Sequence, residues 1–360
     1  MTQRCLLFSL LICFGLPAVY GDAAYAAENL ADFLKESMET AKQIPFEGVL
    51  SFSRKIPSPQ EEKRYSKVKL CRPSPEREWM EVIQPDILQN HIVARIDDVI
   101  WMSPISDEVK ENLPHDLRFH HWYRIFRDVT GVIDLKHYDL LVENFDLIRE
   151  GIETVANRET SILFIQSKHL GRNRKRTSLR LWIDHETRMP LKCEQMDYDG
   201  CLYERLQFES IRFGRDAVQC EIQTDGLQKI PPPPKKDKPE DGPKLDFTPF
   251  VPTRMLRGYK EVASNVFNWK EHVVFETNYS DGLSTFSTYQ RLQTQEEKDA
   301  QAREAEDERN KVKKYKDREI YYRESKGVQI VGVGDIDPRA MNYFLSNMTQ
   351  SEEPIGSSPR

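Results

Sequence analysis

The chain contains 360 residues, of which 39% are hydrophobic and 31% are charged. This length leaves room for about two domains once a leader sequence is removed. The formal net charge of -6 is small and argues against a dedicated nucleic-acid-binding protein. No apolar run reaches about 18 residues, so no membrane-spanning helix is predicted in the mature chain.

Residues 1–26 are predicted to be a signal peptide that is absent from the mature protein. Arg4 provides a basic start, residues 5–16 form a short apolar core, and small residues at 19–21 or 24–26 offer cleavage positions. The mature protein is therefore expected to be soluble in an extracytoplasmic space.

The next predicted element is a helix, which is followed by a series of strands. Residues 28–43 place apolar side chains along a narrow stripe, and Pro45 ends the helix. Short runs with alternating apolar residues then predict strands that pair with their neighbours in sequence. These runs are residues 49–56, 65–70, 78–83, 91–96, 99–102, 138–149, 153–155 and 161–166.

Two segments interrupt this series of strands. Residues 103–130 are predicted to form a loop and a helix, and they contain His115, His120 and His121. Neighbouring histidines on a helix diverge by about 100°, and a metal site needs ligands that converge from several elements, so no metal is predicted. Residues 168–176 form a basic tip, which is either a solvated loop or a contact for phosphate groups or an acidic partner.

Residues 179–222 are predicted to form an antiparallel meander with one apolar and one polar face. Asp199-Gly200 has the sequence of a tight hairpin turn, which would place Cys193 opposite Leu206. A third strand is predicted over residues 218–222. The apolar face of this meander consists of Leu179, Leu181, Ile183, Leu206, Phe208 and Ile222.

Four cysteines remain after removal of the leader: Cys71, Cys193, Cys201 and Cys220. An oxidising compartment permits disulfides, but the hairpin register separates Cys193 from Cys201. Cys193 and Cys220 would flank a central strand, which is too far for a bond. Buried free thiols are favoured over disulfides, although the pairing stays open.

The second half of the chain is predicted to contain a linker and a small domain. Residues 228–253 are rich in proline and charge, so they are expected to be extended and without a core. This linker separates a first domain over 27–227 from a second over 254–348, and residues 349–360 are a tail. A charged run at 293–326 predicts a largely solvated helix inserted in the second domain.

The second domain is predicted to combine three strands with one closing helix. The strands are expected at residues 267–277, 283–289 and 327–333, with a turn at 279–282. Asp337 followed by Pro338 is the sequence of a helix N-terminus, and an apolar stripe follows it.

No catalytic motif is present, and neither an enzyme nor a cofactor is predicted. The sequence has no GxSxG elbow, phosphate-binding glycine loop or HExxH motif. Binding is therefore the favoured class of function. If helices cover the apolar sheet face incompletely, a groove for an acyl chain would open, with Trp101 and the apolar residues of the meander as its walls. The alternative is that the helices cover this face completely, as an ordinary core.

Several segments resemble the MucB/RseB regulators of the sigma-E envelope stress response, within the superfamily of LolA-type lipoprotein carriers. Residues 181–211 (LWIDHETRMPLKCEQMDYDGCLYERLQFESI) and 151–160 (GIETVANRET) resemble the first domain of that family. Residues 278–287 (NYSDGLSTFS) and 327–348 (GVQIVGVGDIDPRAMNYFLSNM) resemble its second domain. The charged run at 293–326 departs from the short loop that is usual there.

The resemblance implies an α+β fold, in which a wide antiparallel half-barrel sheet carries helices on its concave face and a small α+β domain follows. It implies a periplasmic protein that binds the periplasmic part of an anti-sigma factor and senses an acyl chain, lipopolysaccharide or lipoprotein in a hydrophobic groove. Candidate partner contacts are Tyr279, Asp281, Gly282 and Leu283. The alternative is a periplasmic lipid or lipoprotein carrier or sensor without a sigma-factor partner, which would need only the half-barrel.

Overall fold

The computed structural model describes residues 29–55, 63–97, 99–106, 135–169, 177–197, 200–230, 243–297, 312–315, 318–334 and 336–351. The predicted signal peptide, the helix and histidines within 103–130 and most of the basic tip lie outside these residues, as do the centre of the linker and most of the tail. Among the described helices, none is long and apolar enough to cross a bilayer.

The first helix, α1, spans Leu30–Gln43 and confirms the prediction for this segment. Asn29 caps it, because its side chain accepts a hydrogen bond of 3.0 Å from the backbone N–H of Ala31. The buried side chains recur at intervals of three and four residues, which turns one stripe of the helix toward the core. They are Phe33, Leu34, Ser37, Met38 and Ala41.

Eleven strands form one antiparallel sheet in the order β11-β5-β4-β3-β2-β1-β10-β9-β8-β7-β6, and the sheet is not closed into a barrel. The strands are β1 (Phe46–Lys55), β2 (Lys63–Ser74), β3 (Arg77–Gln84), β4 (Ile92–Ile96), β5 (Val99–Met102), β6 (Phe145–Val155), β7 (Arg158–Ser167), β8 (Ser178–Asp184), β9 (Pro190–Met196), β10 (Leu202–Phe213) and β11 (Gln228–Ile230). Cys193 pairs with Leu206, as the predicted hairpin requires. The wide antiparallel sheet expected from the sequence is confirmed.

One predicted strand begins as a helix. Residues 138–149 were expected to be extended, but Tyr138–Asn144 forms a short helix, α2, before β6 begins. Leu141 and Asn144 are three residues apart, so they share one helix face, and both are buried. The apolar run Leu140–Val142 does not by itself distinguish a helix from a strand.

The third strand of the predicted meander does not form. After β10 the chain turns at Gly214, and residues 218–224 lie outside any strand. The backbone N–H of Gln219 donates to Glu47 Oε2 at 3.1 Å, and Cys220 forms a disulfide with Cys71. These contacts hold the segment against the outer face of β1 and β2. The side of β10 where a third meander strand would pair is already occupied by β1.

The Cys71–Cys220 disulfide corrects the expectation of free thiols for this pair. Its Cα atoms are 6.4 Å apart, and it joins positions separated by 149 residues. Cys71 lies between two inward-facing residues of β2, so it faces outward. The expectation of a buried thiol outside a disulfide is confirmed for Cys193, whereas Cys201 is free but exposed.

The second half of the described chain forms a six-stranded antiparallel sheet and a two-stranded one. The larger sheet has the order β13-β14-β15-β18-β17-β16, and the helix α3 packs on one of its faces. Its elements are β13 (Lys260–Trp269), β14 (His272–Ser280), β15 (Thr285–Leu292), β16 (Val312–Tyr315), β17 (Arg318–Ser325), β18 (Val328–Gly334) and α3 (Pro338–Ser346). The strands β12 (Phe250–Pro252) and β19 (Met348–Gln350) form the smaller sheet.

A separate apolar cluster fills the space between α3 and the six-stranded sheet. The rings of Tyr279, Phe286 and Phe344 meet there with centroid separations of 4.8 to 5.1 Å. Asp337 caps α3 by accepting a hydrogen bond of 2.7 Å from Arg339 N, with Pro338 in the first turn. The predicted start of this helix is confirmed.

Three sequence predictions for this half are wrong. Residues 318–325 form β17 and not part of a charged helix, and residues 267–277 are interrupted by a turn at Lys270, which has a positive φ of 55°. The predicted linker also lacks a uniform structure. Its first residues form β11, and Phe250 near its end is buried in the second apolar cluster.

Candidate functional site: the concave face and the joint between the sheets

Five of the predicted groove residues lie together in the core beneath the helices. Their side chains belong to a single apolar cluster, which also contains Phe33, Leu34 and Met38 of α1. The five, with their exposed fractions, are Leu179 (2%), Leu181 (0%), Ile183 (0%), Leu206 (7%) and Phe208 (2%). The apolar face expected from the sequence therefore exists, and in this structure α1 and its neighbours cover it.

Trp101 and Ile222 are not brought to this cluster. Ile100 and Met102 pack against the cluster, and successive strand residues point to opposite faces, so Trp101 faces outward. Ile222 follows the disulfide and lies outside any strand. Neither residue is in a position to line the concave face.

A small cavity remains beside the cluster. Its volume is about 10 Å³, and it is lined by residues of β1, β9 and β10, among them Pro190 and Lys192 of β9. Room for about one water molecule begins at this size, so an acyl chain cannot enter this cavity without movement of the side chains that line it.

The predicted partner contacts are buried or partly buried inside the molecule. Tyr279 and Asp281 are each 1% exposed, and Leu283 packs against the apolar cluster of the first sheet. The turn after β14 is held by Asp281 Oδ1, which accepts hydrogen bonds from Leu283 N at 3.0 Å and Ser284 N at 2.8 Å. This turn thus contacts the first sheet and does not present these residues on an open surface.

Asn144, at the end of α2, joins the two sheets. Its Nδ2 donates to Gly258 O at 2.9 Å and to Asp281 O at 3.1 Å, and it also lies 2.9 Å from Leu140 O. Its Oδ1 lies 3.1 Å from His169 Nε2, so that nitrogen acts as the donor. The side chain is 2% exposed, and no sequence signal distinguished this asparagine from any other.

Gly282 allows the turn to approach α2 closely. A Cβ added at this position would lie 2.8 Å from the carbonyl carbon of Leu140 and closer still to the N and Cα atoms of Leu141. The φ angle of Gly282 is also +100°, which L-residues with side chains rarely adopt. We call this contact, formed by α2, Gly258 and residues 281–283, the joint.

Charged side chains surround the joint at the surface. Lys260 Nζ donates to Glu143 Oε2 at 2.7 Å, although both side chains are more than half exposed. Lys168 Nζ donates to the carbonyls of Val142 at 2.8 Å and Glu143 at 3.2 Å, which are acceptors at the C-terminus of α2. The exposed ion pair is a weak stabiliser, so the buried contacts hold the joint.

Two tyrosines near these contacts, the partly buried Tyr138 and the buried Tyr279, remain neutral. Burial, together with the nearby carboxylates of Asp32 and Asp139, raises the pKa of Tyr138 to about 12. Its hydroxyl donates to the carbonyl of Ala31 on α1. Burial likewise raises the pKa of Tyr279, with a further contribution from Glu261. Neither ring introduces a charge at the joint.

Ser161, His185 and Glu159 form a hydrogen-bonded chain in the order of a hydrolase triad. Ser161 Oγ lies 2.8 Å from His185 Nε2, and His185 Nδ1 lies 2.7 Å from Glu159 Oε1. However, Ser161 is 2% exposed and pairs with the buried Ile183, so a substrate cannot reach its hydroxyl. A nucleophile must be accessible to substrate, and this chain of hydrogen bonds instead satisfies polar groups at the sheet. Among the described residues, no cluster of three His, Cys, Asp or Glu side chains could hold a metal ion.

Comparison with known proteins relates the first half of the chain to one family. Residues 107–230 match the model of the MucB/RseB N-terminal domain. The sigma-E factor regulatory protein RseB of Escherichia coli K12 is 28% identical over 146 residues, which cover 40% of this chain and 43% of the relative. RseB of Salmonella typhimurium is 24% identical over 211 residues, covering 58% of this chain and 60% of the relative. The matched region thus spans less than two thirds of these relatives.

Two solved structures share the fold across most of the chain. The complex of Pseudomonas aeruginosa MucA and MucB matches with a TM-score of 0.57 and 17% identity, covering 91% of this chain and all of the other. MucB in complex with MucA(peri) matches with a TM-score of 0.56 and 16% identity, covering 90% of this chain. At this identity the similarity establishes the fold alone.

Proposed function

We propose that the protein is a periplasmic regulator that binds the periplasmic part of an anti-sigma factor, because residues 107–230 match the model of the MucB/RseB N-terminal domain. The main support for this proposal is that two likenesses occur in one chain. Its sequence is similar to that of RseB, and its fold is shared with MucB over both sheets. The family consists of regulatory binding proteins and not of enzymes, which agrees with the buried position of Ser161.

The proposed partner follows from what the structural relatives bind. MucB has been solved in complex with MucA(peri), and we propose the equivalent partner for this protein. Tyr279, Asp281, Gly282 and Leu283 would then support the partner surface from within, since they are buried or packed against the first sheet. The exposed face of the second sheet is the region where contacts with the partner are proposed.

The partner proposal can be tested with purified proteins. The mature full-length protein is titrated by calorimetry with the periplasmic segment of the anti-sigma factor from the same organism. Saturable binding at a fixed stoichiometry is expected, and the cytoplasmic segment of the same anti-sigma factor serves as the negative control. Absence of heat and of co-elution by gel filtration would reject the partner.

Periplasmic location is proposed on two observations. The first is the signal-peptide pattern of residues 1–26, and the second is the Cys71–Cys220 disulfide, which suits an oxidising compartment. Cell fractionation with mass spectrometry of the mature N-terminus tests this proposal. A protein that retains residues 1–26 in the cytoplasm would contradict it.

Sensing of an acyl chain, lipopolysaccharide or lipoprotein is proposed as the second part of the function. The apolar cluster on the concave face supports it, because each methylene buried there would contribute about 0.8 kcal/mol. Solvent extraction of the purified protein followed by mass spectrometry, and titration with a fluorescent fatty acid, are the tests. Saturable binding is expected, and its absence together with the absence of extracted lipid would reject lipid sensing.

The alternative is a lipid or lipoprotein carrier or sensor of the LolA type without a sigma-factor partner. The two functions differ in what the second sheet is for, since a carrier needs only the concave face of the first. Lipid binding without anti-sigma factor binding in the two assays above would favour the carrier. Binding of the anti-sigma factor would favour the regulator.

A further inference from the structure

The outer edge of β13 differs from the other edges of the two large sheets. β13 is the first strand of the six-stranded sheet, and among the described strands none pairs with its outer side. Every second residue of an edge strand points its N–H and C=O groups away from the sheet, where they can pair with another chain. Proteins commonly protect such edges with charged residues, proline, bulges or short strands.

The other three edges of the two large sheets carry these protections. The edge strand β6 contains four charged residues and has a bulge between Arg149 and Gly151. The edge strand β11 is only three residues long and includes Lys229. The edge strand β16 is four residues long, and two of these residues are lysines. Unwanted pairing is therefore opposed at each of these edges.

The central part of β13 lacks such protection. Residues 263–269 (ASNVFNW) contain no charged residue and no proline. The bulge of β13 lies before this stretch, between Glu261 and Ala263. Seven extended residues span roughly 20 Å, which is longer than β11 and β16 together need to be covered. This stretch, which we call the open edge, can therefore accept a strand from another chain.

The side chains of the open edge favour an apolar neighbour. Val266 and Phe267 pair with Phe275 and Val274 of β14, which are each 4% exposed. Val266 and Phe267 themselves are only partly buried, and Trp269 is 53% exposed. Successive strand residues point to opposite faces, so an added strand would gain cross-strand contacts with these side chains on both faces of the sheet.

We propose that an extended segment of the anti-sigma factor adds to the open edge as a further strand of the second sheet. This inference rests on the proposed function. In such strand addition, main-chain hydrogen bonds provide affinity and alternate side chains provide specificity. The segment is expected to be free of proline and charge at its centre, with consecutive apolar residues opposite Val266 and Phe267 and a further one opposite Trp269.

A second copy of this chain fits the open edge less well. Residues directly opposite each other in an antiparallel pair lie on the same face. Self-pairing centred on Val266 would bring Glu261 near Glu271 of the second copy, and like charges in opposite positions are destabilising. Self-pairing centred on Phe267 would place both Val266 and Trp269 opposite asparagines. Charge and polarity therefore favour a different chain as the occupant.

Amide hydrogen exchange of the mature full-length protein tests the added strand directly. The protein is measured alone and with a saturating amount of the periplasmic segment of the anti-sigma factor from the same organism. About half of the amides in residues 263–269 point outward. These amides are expected to exchange at least about tenfold more slowly in the complex. Residues 272–280 in β14 have strands on both sides, so they serve as the internal reference and should change little.

Two substitutions on the open edge test its role in affinity. Val266→Lys places a charge at the centre of the stretch, so calorimetry is expected to show binding of the anti-sigma segment weakened by about tenfold or more. Asn268→Lys introduces a charge at an exposed position of the same strand and is expected to weaken binding in the same direction without affecting folding. Urea unfolding verifies that each variant is folded.

The matched control is Ile152→Lys, which makes the same kind of change on another edge strand. Ile152 lies on β6 and is 55% exposed. This variant should bind the anti-sigma segment with the affinity of the parent protein. If Val266→Lys does not fold, Asn268→Lys and the exchange measurement decide.

The outcomes separate the open edge from the proposed function. Saturable binding with unchanged exchange at residues 263–269, or with parental affinity in Asn268→Lys and Val266→Lys, would overturn strand addition and leave the regulator standing. Slow exchange at residues 263–269 that depends on protein concentration in the absence of the anti-sigma segment would identify a second copy as the occupant and overturn the proposal. If the segment does not bind the parent protein, the proposed function fails and strand addition fails with it.

Discussion

Glu78 is a buried carboxylate that pairs with two arginines. It is 5% exposed, and Arg72, which is 1% exposed, donates to its Oε1 through Nε at 2.6 Å. Arg95 Nη2 donates to the other oxygen at 3.0 Å. Burial lowers the pKa of Arg72, and Glu78 acts against that shift. The buried positive charge of Arg72 is therefore stabilised by the carboxylate of Glu78.

Removal of Glu78 is therefore expected to destabilise the fold strongly. Glu78→Ala would leave the buried guanidinium of Arg72 without its counter-charge, which costs about 3–5 kcal/mol of unfolding free energy. Urea unfolding measures the loss. The matched control is Glu209→Ala, which removes a partly exposed pair with Lys67 and should cost about 1 kcal/mol or less. Equal losses in the two variants would contradict the argument.

Glu297 provides a pH-dependent contribution to stability. Arg291 donates to both of its oxygens at 2.9 and 2.6 Å, and Thr294 N donates to Oε2 at 2.9 Å. The hydrogen bonds from Arg291, followed by that from Thr294, lower the pKa of Glu297 to about 2. Because the folded pKa is depressed, the stabilisation is fully present above the ordinary pKa of a glutamate and is lost as the pH falls toward 2.

Glu297→Gln is accordingly expected to be destabilising at pH 7 and nearly neutral in acid. The side chain is 37% exposed, so solvent screening limits the effect at neutral pH to about 1 kcal/mol. Urea unfolding of the parent and the variant at pH 7, 5, 4 and 3 should show the two curves converging. The exposed neighbour substitution Glu296→Gln is the control, and a difference that stays constant with pH would refute the prediction.

At the scale of elements, period-two patterns located most strands of the first sheet because one face is apolar. The pattern at Val99–Met102 predicted β5 to the residue. It failed where the local signal is ambiguous. The apolar run in Tyr138–Asn144 suits either a helix or a strand, and burial of Leu141 and Asn144 against two different sheets decides for the helix. The turn at Lys270 lacks glycine and proline, so no turn signal marked the hairpin of β13 and β14.

The disulfide is an element-scale constraint that sequence spacing could not reveal. Cys71 and Cys220 are 149 residues apart, and the predicted third strand placed Cys220 on the wrong side of the sheet. Closing so long a loop lowers the conformational entropy of the unfolded chain, which the chain-entropy model converts to about 5 kcal/mol of stability. Native disulfides in small proteins contribute about 2–5 kcal/mol in practice.

Loss of this disulfide is expected to lower stability by that amount. The double variant Cys71→Ser with Cys220→Ser should unfold at a lower urea concentration than the parent protein. Its free energy of unfolding should be lower by about 2–5 kcal/mol. Cys201→Ser is the control, because Cys201 is free and exposed, and it should unfold like the parent. An unchanged midpoint for the double variant would show that the segment after β10 is held by other contacts.

For the whole molecule, the sequence indicated two units but not how they meet. Each half of the chain has its own apolar cluster, in agreement with the composition change at the linker. The joint combines positions 144, 258 and 281, which are 114 and 137 residues apart in their hydrogen-bonded pairs. Such contacts between distant residues form only in the completed fold and leave no local signal in the sequence. The turn at 281–283, which was predicted to contact a partner, therefore lies in a contact within the molecule.

The joint should make the stability of the second sheet depend on the first. Amide hydrogen exchange of the full-length protein measures opening of β13–β18 separately from that of β1–β10. In Gly282→Ala, the free energy of opening is expected to fall by about 1–3 kcal/mol in β14, β15 and α2, because overpacking forces the turn away from Leu141. Strands β2–β4 are distant from the joint and serve as the internal reference. A uniform fall across both sheets would indicate general destabilisation, and no change at β14 and α2 would mean that the two sheets are energetically independent.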